Sequence, residues 1–195
     1  MKPLIYTLLL FSLIYLSSCQ KNSVEPTVRH TIGTQTAVTG SVDLNQGADS
    51  SFNNITGSMR LQLTKDSINN DNIYIGFDPT AKTTYNGMED APSFQGFGAV
   101  NLASYSSDNV PLAINYLPLE QQGLAIGLRV NATADGIYKL DMLTVESVPA
   151  ALNIWLIDKY KNDSLNFRQN SSYAFNIVKA DTASFGSHRF KLIIK

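Results

Sequence analysis

Few side chains in this sequence combine the type and the spacing that chemistry needs. The single cysteine is Cys19, and the two histidines, His30 and His188, lie far apart. No HExxH or CxxC pattern occurs, so no metal ligand set and no cofactor are expected. His188 is close in sequence to Asp181 and Ser184, the residue types of a nucleophilic triad. No G-x-S-x-G elbow accompanies them, and a rim histidine on the last strand is the simpler expectation. Glu89, Asp90 and Glu146 are acids of the kind a polysaccharide hydrolase uses in pairs, at separations that sequence does not fix. Asp66, Asn69, Asn70, Asp71 and Asn72 crowd one turn with oxygen donors. Ile68 occupies an EF-hand ligand slot and no turn glycine is present, so a solvated turn is expected, with a loop calcium as the lesser alternative.

A second kind of chemistry is stacking. Tyr85, Phe94, Phe97 and Tyr105 are interleaved with Gly87, Gly96 and Gly98. Aromatic rings on glycine-rich loops can stack on sugar faces. The plainer expectation is that Phe94 and Phe97 plug the long loop onto the core, because large aromatics are usually buried. Gly96-Phe97-Gly98 lacks the third glycine and the helix of a dinucleotide site, and no P-loop lysine motif occurs.

These residues sit in a chain of 195 residues that is 44% hydrophobic, 16% charged and of net charge −1. No basic field is available to hold nucleic acid. One cysteine excludes an internal disulfide framework. Aromatics at 10% are too many for a disordered chain.

The N-terminus reads as an address. Lys2 precedes an apolar run from Leu4 to Leu16, shorter than the roughly 20 residues of a membrane span. Leu16-Ser17-Ser18-Cys19 closes it and resembles the bacterial lipobox. The resemblance implies cleavage before Cys19 and a diacylglycerol on its thiol, with palmitate among the acyl chains. Each buried CH₂ contributes about 0.8 kcal/mol, so two or three chains anchor firmly. An ordinary signal peptide with an accidental cysteine is the alternative. Gln20 in place of Asp implies sorting to the outer membrane. Residues 1–18 are thus expected to be a lipoprotein signal, and residues 19–35, which include His30, a flexible lipidated tether.

Residues 36–195 read as strands. Apolar and polar residues alternate over 136–142 and 188–195, and 151–159 is apolar on both faces, as in the middle of a sheet. In the last run Phe190, Leu192 and Ile194 face one way, while Arg189, Lys191 and Lys195 are expected in water. Further strands are expected over 37–44, 59–65, 72–77, 99–106, 111–116, 124–130 and 172–178. Asp78-Pro79, Asn86-Gly87 and Asp135-Gly136 punctuate them. The fold class expected is all-β: an antiparallel β-sandwich, Ig-like or jelly-roll-like.

From Arg60 onward the order of motifs resembles a β-sandwich module of Bacteroidetes secreted and surface proteins. Its stretches here are Arg60-Leu61-Gln62-Leu63, Ile75-Gly76-Phe77, Glu89-Asp90-Ala91, Leu102-Ala103-Ser104-Tyr105, Leu112 to Pro118, Gly136 to Leu140, Ile154 to Asp158, Tyr173-Ala174-Phe175 and Arg189 to Leu192. That module often precedes a type IX secretion sorting tail. No such tail follows the last strand here, so the lipid anchor replaces type IX export in the expectation. Pro92-Ser93-Phe94 stands where the family usually has a Lys or Arg. Asp66-Ser67-Ile68, Asp163-Ser164-Leu165 and Asp181-Thr182-Ala183 resemble the O-glycosylation acceptor of Bacteroidetes envelope proteins, implying Ser67, Ser164 and Thr182 as sugar sites. The expected function is a non-catalytic structural or protein-interaction lipoprotein of the envelope, bound to the membrane by its lipid. The alternatives are carbohydrate binding through the aromatic loop 85–105 and polysaccharide hydrolysis. The expected partner is an envelope protein or a glycan, and not nucleic acid.

Overall fold

A three-residue link dictates the shape of this domain. Strands β6 (Leu124–Ala132) and β7 (Gly136–Glu146) follow one another in sequence. Four strands nevertheless separate them in the sheet: β1 (Gly57–Thr64), β2 (Asn70–Phe77), β5 (Pro111–Leu117) and β4 (Val100–Tyr105). Five strand spacings span about 24 Å in a flat sheet. Four Cα steps span at most about 15 Å. The sheet must therefore curl over on itself. Gly136 makes the turn possible, with φ at +143°, a region that side chains disfavour.

The computed structural model describes residues 55–95, 98–120 and 123–195. Cys19, the tether over 19–35, the strand expected over 37–44 and Phe97 lie outside the described residues. The remaining elements are β3 (Ala91–Pro92), β8 (Ile154–Asp158), β9 (Asp163–Asn166), β10 (Ser172–Ile177), a 3₁₀ turn at Thr182–Ser184, and β11 (Gly186–Ile194). The path through the sheet is β10-β7-β1-β2-β5-β4-β6-β11-β8-β9, with β3 paired to β5 off the path. Among the described residues β2 and β5 pair in parallel and every other pair is antiparallel. The domain is all-β: a mixed, mostly antiparallel sheet curled almost into a barrel.

Alternation places the core. Met59, Leu61 and Leu63 of β1, Ile126, Leu128 and Val130 of β6, and Phe190, Leu192 and Ile194 of β11 share one buried cluster. Burying a side chain of this size contributes about 1.5–3 kcal/mol. The outer face of β1 and β2 carries a polar ladder. Arg60 donates to Asn72 at 3.0 Å, and Gln62 to Asn70 at 3.3 Å.

Three expectations change. Arg189 is 2% exposed, not in water. Its register against β6 shifts between Gly186 and Phe190, so strict alternation fails and Arg189 and Phe190 are buried side by side. The apolar strand over 151–159 narrows to β8 and lies one place from the end of the path, where β9 covers its outer edge. β3 and β9 add two strands to those expected; at two and four residues they are too short to give a pattern.

Gly136 gives a direct check. A Gly136→Val substitution forces a side chain into a positive-φ position, and a strain of about 1–3 kcal/mol is expected. Chemical denaturation should show the midpoint moving down with the spectrum of the folded state retained.

Candidate functional site

The outward side chains of β6 are small where the inward ones are large. Ala125 and Gly127 stand on the outer face, while Ile126 and Leu128 fill the core. In the register of β4 with β6, Ala103 is opposite Arg129 and Ser104 opposite Leu128. Tyr105 follows Ser104 and lies beside Gly127. A Cβ at position 127 would lie 3.6 Å from Tyr105 Cδ2, so the glycine leaves a trough beside the ring. The result is an open groove of about 670 Å³. Thr83, Ser107 and Asn109 form one wall, and Ser187 and His188 of β11 line it as well. Its size falls within the usual range of small-molecule sites.

Hydrogen bonds fix the Thr83–Asn109 wall. The Ser107 amide donates to the Thr83 carbonyl at 2.8 Å, and the Ser107 hydroxyl to Thr83 Oγ1 at 3.2 Å. Asp108 accepts from the Ser106 hydroxyl at 2.6 Å and from the Tyr85 amide at 3.0 Å. These bonds hold its carboxyl below the usual carboxylate range, the Ser106 hydroxyl first. Asn109 takes φ +62°, which its short amide side chain tolerates.

The sequence-predicted aromatics do not share one surface. Tyr105 is half-buried and lines the groove. Tyr85 is partly exposed beyond the wall, its hydroxyl 3.2 Å from where a Cβ on Gly87 would lie. Phe94 is 82% exposed at the other end of β4, where its carbonyl accepts from Asn101 at 3.4 Å. The expectation that Phe94 plugs its loop onto the core is thus overturned. The loop is tied down instead by polar contacts from Asn101 and Arg129 to Ser93.

The densest chemistry lies elsewhere, at the end where the sheet closes. Asp158 ends β8 and is fully buried. Arg189 Nη2 meets its Oδ2 at 2.8 Å, and Nε lies 3.1 Å from Oδ1. Arg189 Nη1 donates to the carbonyls of Asn176, at 2.7 Å, and Ser184. Its guanidinium carbon stands 4.7 Å from the ring centres of Phe175 and Phe190 and 4.9 Å from that of Tyr160. The Tyr173 hydroxyl donates to Asp158 at 3.1 Å and to Asp163 at 3.2 Å. Burial alone would push the Asp158 carboxyl up. The Arg189 guanidinium, the Lys161 amide and the Tyr173 hydroxyl outweigh it and hold the carboxyl below its ordinary value. Burial, then the charge of Asp158, pushes the Tyr173 hydroxyl well above the ordinary tyrosine range. Beside this cluster lies a second groove, about 410 Å³, lined by Lys159, Tyr160, Phe185 and His188.

The triad residue types are spent on structure. Ser184 is buried, and its hydroxyl accepts from the Val178 amide at 2.9 Å and sits 2.7 Å from the Asp181 carbonyl. Asp181 accepts from the Ala183 amide and the Tyr160 hydroxyl. Neither is hydrogen-bonded to His188, whose side chain is exposed on the rim. Asp90 accepts from the Asn86 and Tyr116 amides, both at 2.8 Å, and so docks its loop on β5. Glu89 and Glu146 are exposed. Both Asp66 oxygens bind Asn69, and Oδ1 also takes the Ile68 amide, which makes the turn self-satisfied. No cluster of three metal-type ligands occurs among the described residues. Ser67, Ser164 and Thr182 are all exposed.

No family model, curated protein or solved structure matches the chain.

Two outcomes follow from the buried pair. Arg189→Met should cost about 3–5 kcal/mol, because it strands Asp158 without a partner, and adding Asp158→Leu should restore part of that loss. The pH dependence has a defined sign. The folded carboxyl is held below its unfolded value of about 3.9, so its contribution is complete above that pH and fades as pH falls through the lowered folded value. Urea titrations between neutral pH and pH 2 should show this acid loss in the wild type and a shallower one in Asp158→Asn. Ser184→Ala should cost about 1–3 kcal/mol through the unpaired Val178 amide.

Proposed function

We propose that this protein is a non-catalytic lipoprotein of the bacterial envelope, an interaction or structural module tethered to the outer membrane through Cys19. The observation that carries the reading is the fate of the reactive side-chain types. Asp158, Arg189, Ser184, Asp181 and Asp90 hold strands and loops together, which leaves a neutral groove and exposed loops for contact. The Leu16-Ser17-Ser18-Cys19 segment after an apolar run supplies the anchor. The curled sheet is read as a flattened two-layer β-sandwich, because Phe175 of β10 meets Phe190 of β11 edge-on at 4.8 Å. This sandwich, and the motif order from Arg60, support kinship with the module that precedes type IX sorting tails. Of the aromatic loop 85–105, Tyr105 alone is kept as a carbohydrate contact, and the exposed Ser67, Ser164 and Thr182 as glycan acceptors belong to the same proposal.

Fractionation tests the anchor. The wild type should partition into detergent and yield an acylated N-terminal cysteine peptide carrying palmitate on feeding a palmitate analogue. A Cys19→Ser variant should lose the label. A wild-type chain recovered unlabelled in the aqueous phase would end the anchor reading. Incubation with envelope polysaccharide should release no reducing ends. Their appearance, and their loss in Glu89→Gln or Glu146→Gln, would favour a hydrolase instead.

A further inference from the structure

The groove beside Tyr105 differs from two smaller grooves among the described residues, each of which has a lysine in its lining. Its described lining contains no Asp, Glu, Lys or Arg. The Tyr105 ring lies beside Gly127, and polar groups of Thr83, Ser107, Asn109 and Ser187 share the lining with two leucines and His188. We propose that this groove binds a neutral saccharide, with Tyr105 as the stacking platform. The inference rests on the non-catalytic reading above and gives it a ligand class.

The argument is one of matching groups. A sugar ring has an apolar C–H face and a rim of hydroxyls, each both donor and acceptor. The face stacks on an aromatic ring. The rim needs hydroxyl and amide partners, which Asn109 and the serines supply in both senses. An acidic ligand such as a nucleotide or a uronate would find no Lys or Arg in the described lining, where His188 is the one basic residue type, and an unpaired charge is costly to desolvate. A purely apolar ligand would cover the hydroxyl rim and leave it unpaired, at the same kind of cost. The glycine at position 127 has a specific meaning here. Any larger side chain would grow into the space beside the Tyr105 ring.

The wall is prearranged, which lowers the ordering cost of binding. The Ser107 hydroxyl is oriented by Thr83, and the Asn109 backbone is held by a bond from its amide to the Ser106 carbonyl at 3.1 Å. Phe94, largely exposed at the other end of β4, does not line this groove.

Calorimetry on the full chain in detergent tests the proposal. The probes are maltohexaose, cellohexaose, chitohexaose and mannohexaose, with a galacturonate oligomer as the acidic control. Saturable binding of at least one neutral probe is expected. Tyr105→Ala and Ala125→Leu should each weaken it tenfold or more, and Phe94→Ala should leave it unchanged. Ala125 is exposed, so its substitution fills the trough without disturbing the core. Circular dichroism on each variant establishes that it is folded. Failure of all four neutral probes, equal binding of the galacturonate oligomer, or binding that survives both groove substitutions would overturn the proposal. None of these results bears on the lipid anchor, which the Cys19 fractionation decides separately.

Discussion

Among the described residues no backbone ladder runs between the two ends of the strand path, and the Arg189 guanidinium bridges the gap instead. From β11 it reaches Asp158 on β8 and the carbonyl of Asn176 on β10. Tyr173 returns the connection from β10 to Asp158 and to Asp163 of β9. Four strands are thereby joined by side chains, around the ring contacts of Phe175, Phe190 and Tyr173. Backbone ladders are built from repeated weak bonds and tolerate local loss. This closure concentrates the task in a single buried ion pair. Its charges are removed from water at considerable cost, and only their mutual pairing and the surrounding donors offset that cost. The arrangement fixes geometry as much as it stabilises. A guanidinium has a planar fork of donors: here Nε and Nη2 grip Asp158, and Nη1 reaches the carbonyls of two further segments, at Asn176 and Ser184.

The same economy of polar groups runs through the loops. Asp90 holds the 78–91 loop to β5, Asp108 holds Tyr85 to the β4–β5 hairpin, and Ser184 ties the start of the 178–185 crossing to its end. Asp66 closes its own turn. Each is a residue type that enzymes use for acid–base or nucleophilic work. Here their lone pairs are already occupied by amides that would otherwise be orphaned. A carboxylate in such a position cannot easily exchange a proton without releasing the loop it holds. Their commitment fixes the loops to the strands they cross, whether the carboxylate is buried, as at Asp90, or exposed, as at Asp108.

Most of the strand framework was legible because its signal is local. The alternation over 136–142 and 188–195 maps onto β7 and β11, the further runs at 59–65, 72–77 and 124–130 onto β1, β2 and β6, and Asp135-Gly136 marks the tight link before β7. What escaped was set by non-local geometry. Arg189 occupies a position that strict alternation assigns to water, and the shift that buries it depends on β6 and on a carboxylate 31 residues away. Phe94 and Tyr105 look equivalent in sequence, yet one is in solvent and the other beside a trough. The difference lies in Gly127 and Ala125, which pair with neither ring in sequence. A signal for the groove was nevertheless present: two small residues at successive outward positions of a strand whose inward positions are bulky.

That signal carries a physical cost. A strand exposed on one face normally carries long polar side chains there, which keep the sheet wet and its edges apart. Alanine and glycine weaken the strand, since they contribute little packing and glycine loses more chain freedom on folding. β6 can carry them because it lies between β4 and β11, and its inward residues anchor it in the core. The ring of Tyr105 shields one side of the trough, and the polar wall shields another. A flat, uncharged depression in the middle of a sheet therefore imposes a cost on the strand that forms it. The neighbouring strands absorb that cost, and the depression remains open to solvent on the outer face of a sheet whose ends are held by Arg189.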